Sequence, residues 1–189
     1  MQNDVILAGF GGQGILLIGK MLAYAGMHEG KEVSWLPSYG PEMRGGTCNC
    51  TVVISDKPVG SPVIQRPGAV LAMNLPSLEK FEADVREGGY LLINTSLIDQ
   101  KSQRDDITII DVPANAIAQD LGNPRGANMV ALGAYVGATG AVSLEQIEAV
   151  VRQTFAAKPS AIDVNLEALH KGFDLGRQHA QTGNEEAAS

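Results

Sequence analysis

The sequence predicts an α/β fold: a single Rossmann-like domain with a mainly parallel sheet, an irregular loop excursion after the second strand and a helical C-terminal part. Three observations predict it. Apolar runs of strand length alternate with helix-like stretches along the first 112 residues, a glycine-rich turn joins the first run to the first helix, and the chain after Val112 carries only helical patterns.

Val5 to Ala8 is the first apolar run, and Gly9-Phe10-Gly11-Gly12-Gln13-Gly14 after it matches G-x-G-x-x-G. Ile15 to Glu29 then has helical character, and Gly30 closes it. Glu32 to Leu36 reads as a second strand. Pro37 to Gly46 holds five Gly or Pro in ten positions, which predicts a loop. Thr47 to Ser55 is β-type. No helix-length segment separates it from the second strand, so a parallel crossover is not required and an antiparallel excursion is expected.

Ser55-Asp56-Lys57-Pro58 reads as a turn and Ala69 to Met73 as a short buried strand. Pro76-Ser77-Leu78 opens a helix carrying Leu78, Phe81 and Val85 on one side, ended by Gly88-Gly89. Tyr90 to Asn94 and Ile107 to Val112 are further strands joined by a polar, Asp-rich link. Asn115 to Leu121 and Asn128 to Ala138 are Ala-rich helices broken by Gly122 to Gly126. Ser143-Leu144-Glu145-Gln146 has the form of a capping box. Its helix presents Leu144, Ile147, Val151 and Phe155. The last helix starts near Ser160 and carries Ile162, Leu166, Leu169 and Phe173 on one stripe. Residues 1–181 are expected to form one domain and 182–189 a frayed tail.

A chain of 189 residues, 44% of them apolar, fills one core. Its net charge of −7 and scattered 14 Lys and Arg exclude the basic face that nucleic acid or an anionic membrane requires. No apolar run approaches the ~20 residues of a membrane span, and no charged and apolar leader precedes the first strand, so a cytoplasmic location is expected. Cys48 and Cys50 stand two apart on a strand and face one side. Two thiolates fall short of the four ligands of a structural zinc or iron-sulfur site, and His28, His170 and His179 show no ligand spacing, so no metal site is expected.

The glycine turn is the first candidate site, with Gly9, Gly11, Gly12, Gln13 and Gly14 as its residues. Backbone N–H groups approach an anion closely where no Cβ intrudes, and the helix that follows adds its positive end. The competing use of the glycines is tight packing of helix on strand. A nicotinamide or flavin dinucleotide needs a carboxylate at the end of the second strand, and Val33 to Ser38 contains none. A P-loop is excluded by the missing G-K-[ST] ending. The second candidate is the loop of Ser38, Tyr39, Glu42, Met43, Arg44, Gly45 and Gly46, where chemistry-bearing side chains sit among backbone breakers. Such a loop is expected at a ligand or subunit contact and mobile in the free chain.

At these residues the chain resembles a known family. The glycine turn, then Pro37-Ser38-Tyr39-Gly40-Pro41-Glu42-Met43-Arg44-Gly45-Gly46-Thr47, then Met73-Asn74-Leu75-Pro76-Ser77, are similar to the gamma subunit of the 2-oxoacid:ferredoxin oxidoreductases, with the 2-oxoglutarate and 2-oxoisovalerate branch ahead of the indolepyruvate branch. The resemblance implies a complex that decarboxylates a 2-oxoacid on thiamine diphosphate, sends electrons through iron-sulfur clusters to ferredoxin and releases an acyl-CoA. It implies that alpha and beta subunits hold thiamine diphosphate, that clusters sit in other subunits such as a ferredoxin-like delta, and that this chain contributes to the coenzyme A site without a catalytic residue or cofactor of its own. The opposing readings are a free-standing NAD-linked enzyme and a scaffold that no longer uses its glycine turn.

Overall fold

Residues 4–9 are buried in an unbroken run, the mark of a strand covered on both faces. They form the centre of β1 (Gln2–Phe10) in a computed structural model that describes residues 1–39 and 47–187, apart from the side chains of Tyr39 and 181–187. The chain continues through α1 (Ile15–His28), β2 (Glu32–Tyr39), β3 (Thr47–Ser55), β4 (Ala69–Ala72), α2 (Leu75–Phe81), β5 (Tyr90–Ile93) and β6 (Thr108–Asp111). The helices α3 (Ala114–Asp120), α4 (Ala127–Thr139), α5 (Leu144–Thr154) and α6 (Ile162–Ala187) complete it.

The six strands lie in the order β2-β3-β1-β4-β5-β6. β4, β5 and β6 run parallel to their neighbours from β1 outward, whereas β3 is antiparallel to both β1 and β2. The antiparallel excursion expected from the missing helix is therefore present. One expectation is corrected: β2 does not stop at Leu36 but takes in Pro37, Ser38 and Tyr39, which pair with Cys50, Asn49 and Cys48. Pro37 is tolerated because β2 is an edge strand, with one side of its backbone free of ladder bonds. Gly40 to Gly46 lie outside the described residues.

Alternation along β1 sends Val5 and Leu7 to one face and Ile6 and Ala8 to the other. The first pair joins the large core built with α1, α4, α5 and α6; the second joins a smaller core with Leu78, Val85 and Ile98. The polar link between β5 and β6 is held to the chain after α2 by Arg104, whose Nε donates to Asp106 and whose Nη1 donates to Glu82 O at 3.0 Å and Val85 O at 2.8 Å.

Two helix contacts organise the C-terminal part. The α4 glycines Gly133 and Gly137 face the α6 glycines Gly172 and Gly176 so closely that a Cβ on any of them would overlap a backbone carbonyl oxygen of the other helix. At the start of α5, Ser143 Oγ accepts from Gln146 N–H at 3.4 Å, half of the expected capping box. The other half comes from elsewhere: Ser143 N–H donates to Glu29 Oε1 at 2.6 Å, and Lys31 Nζ stands 2.8 Å from Glu29 Oε2. Burial alone would raise the Glu29 pKa, but Lys31 and the Ser143 N–H outweigh it and hold the carboxyl below its ordinary value. A depressed carboxylate contributes stability that is present above the unfolded pKa of about 4.3 and disappears as pH falls through the folded value. Glu29→Gln is expected to melt lower than the parent at pH 7, with the gap closing by pH 3; a gap of constant size would show that the charge contributes nothing.

Candidate functional site

The carboxyl ends of β1, β4 and β5 open on a cleft of about 510 Å³, beside the point where the chain switches from one side of β1 to the other. Open α/β sheets bind ligands at this place. One wall is the glycine turn. Gly12 and Gly14 hold φ of +101° and +75°, values that strain any residue with a Cβ. Gly14 is the N-cap of α1, and among the described residues no side chain caps the start of that helix.

Gln13 ties the turn down at both ends: its Oε1 accepts from Phe10 N–H at 2.6 Å and its Nε2 donates to Met73 O at 3.1 Å. Gly9 makes room for this, since a Cβ there would stand 2.5 Å from Gln13 Oε1 and 2.9 Å from Ile15 Cδ1. Of the turn residues, Gly9 and Gln13 thus hold the turn in shape, while Gly12 and Gln13 line the cleft. Met73 O also accepts from Asn94 Nδ2 at 3.4 Å, and that nitrogen donates to Asn115 Oδ1 at 2.8 Å. Asn94 Oδ1 accepts from Ala114 N–H at 3.2 Å. The cleft floor is consequently a chain of satisfied polar groups crossing from β1 to β4, β5 and α3, rigid before any ligand arrives.

The opposite wall comes from Pro124 to Asn128, at the entry to α4. Its cap, Gly126, also lacks a side-chain acceptor. Arg125 is exposed and Asn128 is only 7% exposed, yet neither has a hydrogen-bond or ion-pair partner among the described residues. The Asn128 amide is open to the cleft, because the buried side-chain polar atoms left without a partner among the described residues are Trp35 Nε1 and Asn74 Nδ2. Asn128 also touches the turn: a Cβ at Gly14 would overlap its Nδ2. No carboxylate lines the cleft among the described residues.

The loop candidate is divided by the structure. Ser38 is exposed near the end of β2 and Tyr39 is its last residue, whereas Glu42, Met43, Arg44, Gly45 and Gly46 lie outside the described residues. The sequence reading missed Arg125, Asn128 and Asn115. Gly122 to Gly126 signalled only a break, and a single Asn in the first turn of an Ala-rich helix carries no local mark of a ligand.

A family model described as pyruvate ferredoxin/flavodoxin oxidoreductase matches residues 4–175. The chain belongs to that family. It is 45% identical to the ketoisovalerate oxidoreductase subunit VorA of Methanothermobacter marburgensis, covering 94% of this chain and 37% of VorA. It is 34% identical to the 2-oxoglutarate synthase subunit KorC of Methanocaldococcus jannaschii, covering 94% of this chain and 96% of that subunit. Among solved structures, the gamma subunit of a keto/oxoacid ferredoxin oxidoreductase from Geobacter sulfurreducens superposes with a TM-score of 0.82 at 32% identity, covering 95% of this chain and 98% of that one. The chain thus spans just over a third of VorA and nearly all of the KorC and gamma-subunit relatives. Within the pyruvate ferredoxin/flavodoxin oxidoreductase family, the named relatives fall in the 2-oxoglutarate and ketoisovalerate branch that the Ser38 to Gly46 string pointed to. Among the described residues no helix is long and apolar enough to cross a membrane.

Proposed function

We infer that this chain is the gamma component of a cytoplasmic 2-oxoacid:ferredoxin oxidoreductase, contributing to the coenzyme A site and to assembly while alpha and beta subunits hold thiamine diphosphate and a ferredoxin-like delta carries clusters toward ferredoxin. The observation that carries the coenzyme A part is the cleft: a glycine turn and an uncapped helix start on one wall, one cation on the other and no acid in the described lining. The residues present do not suit a cluster of their own. Cys50 is fully buried and its thiol is pushed up to about 12 by burial, and Cys48 is raised for the same reason, so neither offers a thiolate near neutral pH.

The substrate read from the loop string is 2-oxoglutarate. The 45% identity to a ketoisovalerate subunit favours 2-oxoisovalerate as the second reading. Ser38, Tyr39, Glu42, Met43, Arg44, Gly45 and Gly46 are assigned to the subunit contact near the active site, with the planar fork of Arg44 meeting a carboxylate or phosphate. The test is reconstitution. The isolated chain is expected to show no visible absorption and no viologen reduction with any 2-oxoacid and coenzyme A, and activity is expected when alpha, beta and delta are added. Arg44→Ala should move the reconstitution midpoint to higher chain concentration while the free chain melts as before. Turnover by the single chain, or a variant that destabilises the free chain and assembles normally, would refute the assignment.

A further inference from the structure

We propose that the outer stripe of α1, formed by Leu17, Lys20, Tyr24 and Met27, is a docking seam for one helix of a partner subunit, an apolar helix with an acid facing Lys20. The inference rests on the gamma-component reading above for there being partner subunits; the seam itself follows from the helix. The fully outward positions of α1 are Leu17, Lys20, Tyr24, Met27 and His28. Three of them are large apolar side chains left in water, Leu17 at 36%, Tyr24 at 46% and Met27 at 58% exposure. The other long surface helix is coated differently: the outward positions of α6 up to Arg177 are Asp163, Glu167, His170, Lys171, Asp174 and Arg177. One exposed apolar side chain is ordinary, whereas three on one line mark a surface that is covered in use.

Spacing names the kind of occupant. Leu17, Lys20, Tyr24 and Met27 follow one another by three, four and three residues, the a and d spacing at which one helix packs along another. At about 1.5 Å of rise per residue the stripe runs for roughly 15 Å, three turns of a partner helix. Charge then narrows the choice. α1 contains no Asp or Glu, and Glu29 just beyond it is engaged by Lys31 and Ser143. Lys20 has no carboxylate partner among the described residues, and its ammonium lies 5.8 Å from the centre of the Trp35 ring, which holds the charge in the middle of the seam. Two copies meeting seam to seam would set Lys20 against apolar side chains or a second Lys20, with no acid on either helix to answer it. An anionic membrane is repelled by a chain of net charge −7. A different subunit's apolar helix meets both demands when one acid on it pairs with Lys20 and fixes the register. Because α1 opens at the Gly14 cap, a partner held by this seam stands beside the cleft.

The test is reconstitution with alpha, beta and delta, together with melting and sedimentation of the free chain. Tyr24→Glu, Met27→Glu and Lys20→Glu are each expected to raise the reconstitution midpoint by roughly tenfold or more, as residues central to an interface do. Lys20→Arg should assemble like the parent, and so should Asp174→Lys on α6. Since Tyr24 and Met27 are exposed, their variants should melt as the parent does. A photoreactive benzoylphenylalanine in place of Tyr24 should crosslink, in the assembled complex, to a partner-subunit helix carrying an acid within one turn. Parent that assembles while the three stripe variants match it would overturn the seam alone. Parent that joins no complex would overturn the gamma-component reading and the seam with it. Crosslinks between two copies of this chain, or self-association that Tyr24→Glu abolishes, would give the stripe to a second copy and refute the partner helix.

Discussion

Gly172→Ala is expected to lower the melting temperature of this chain by roughly 10 °C or more. Two effects of opposite sign compete. Replacing a helix-interior glycine by alanine favours the helix by about 1 kcal/mol, so an unpacked glycine would give a more stable variant. At Gly172 the new methyl would overlap Val130 O, with the Ala134 amide nitrogen just behind, and neither group can turn aside as a side chain would. Forcing atoms into a filled core typically costs about 1–3 kcal/mol, and here α4 and α6 must separate along their length because Gly133, Gly137 and Gly176 make the same contact. A net loss of about 3 kcal/mol or more corresponds to that shift at this size. Gly60→Ala, at an exposed glycine with nothing within 4 Å of the added Cβ, serves as the near-neutral control. A thermal melt in which Gly172→Ala rises above the parent would show that the helices are not in backbone contact.

Gly14→Ala is expected to damage the cleft and the fold together. A left-handed backbone costs an alanine about 1–2 kcal/mol, and the methyl would land on the Asn128 amide. The melting temperature should fall by about 2–8 °C, and the KM for coenzyme A in the assembled complex should rise at least tenfold. Gly12→Ala separates the two causes. Its φ of +101° is also unfavourable for alanine, but nothing lies within 4 Å of the added Cβ, so Asn128 keeps its place. If both variants raised the KM equally, displacement of Asn128 would have no part in the effect.

Much of this architecture was legible in residue order. β3 spans Thr47–Ser55 as its β-type run predicted, and its antiparallel direction followed from the absence of a helix-length segment before it. What stayed hidden depends on what faces what. Pro37 to Tyr39 read as loop because the breakers were visible and the edge position that tolerates a proline was not. Glu29 stands 114 residues from Ser143, so nothing near the capping box announced which acid would complete it. The glycines of α4 and α6 repeat at a spacing of four in each helix, but spacing on one helix does not name the helix it touches. The cleft was half visible: its glycine wall carries a motif, and its α4 wall is assembled only by folding.

The place of β1 has a consequence for how the chain reaches this state. Its partners begin at Thr47 on one side and Ala69 on the other, so the central strand has no neighbour close in sequence. The pairing of β2 with β3 closes the shortest loop, from Tyr39 to Cys48, and is expected to form first. Until β1 docks, β3 offers an open edge through Val52, Val53 and Ile54, residues that are buried in the finished sheet. The chain is therefore most exposed to aggregation in the interval before β1 is captured, and the strand that ends at the centre of the sheet is among the last to acquire its ladder bonds.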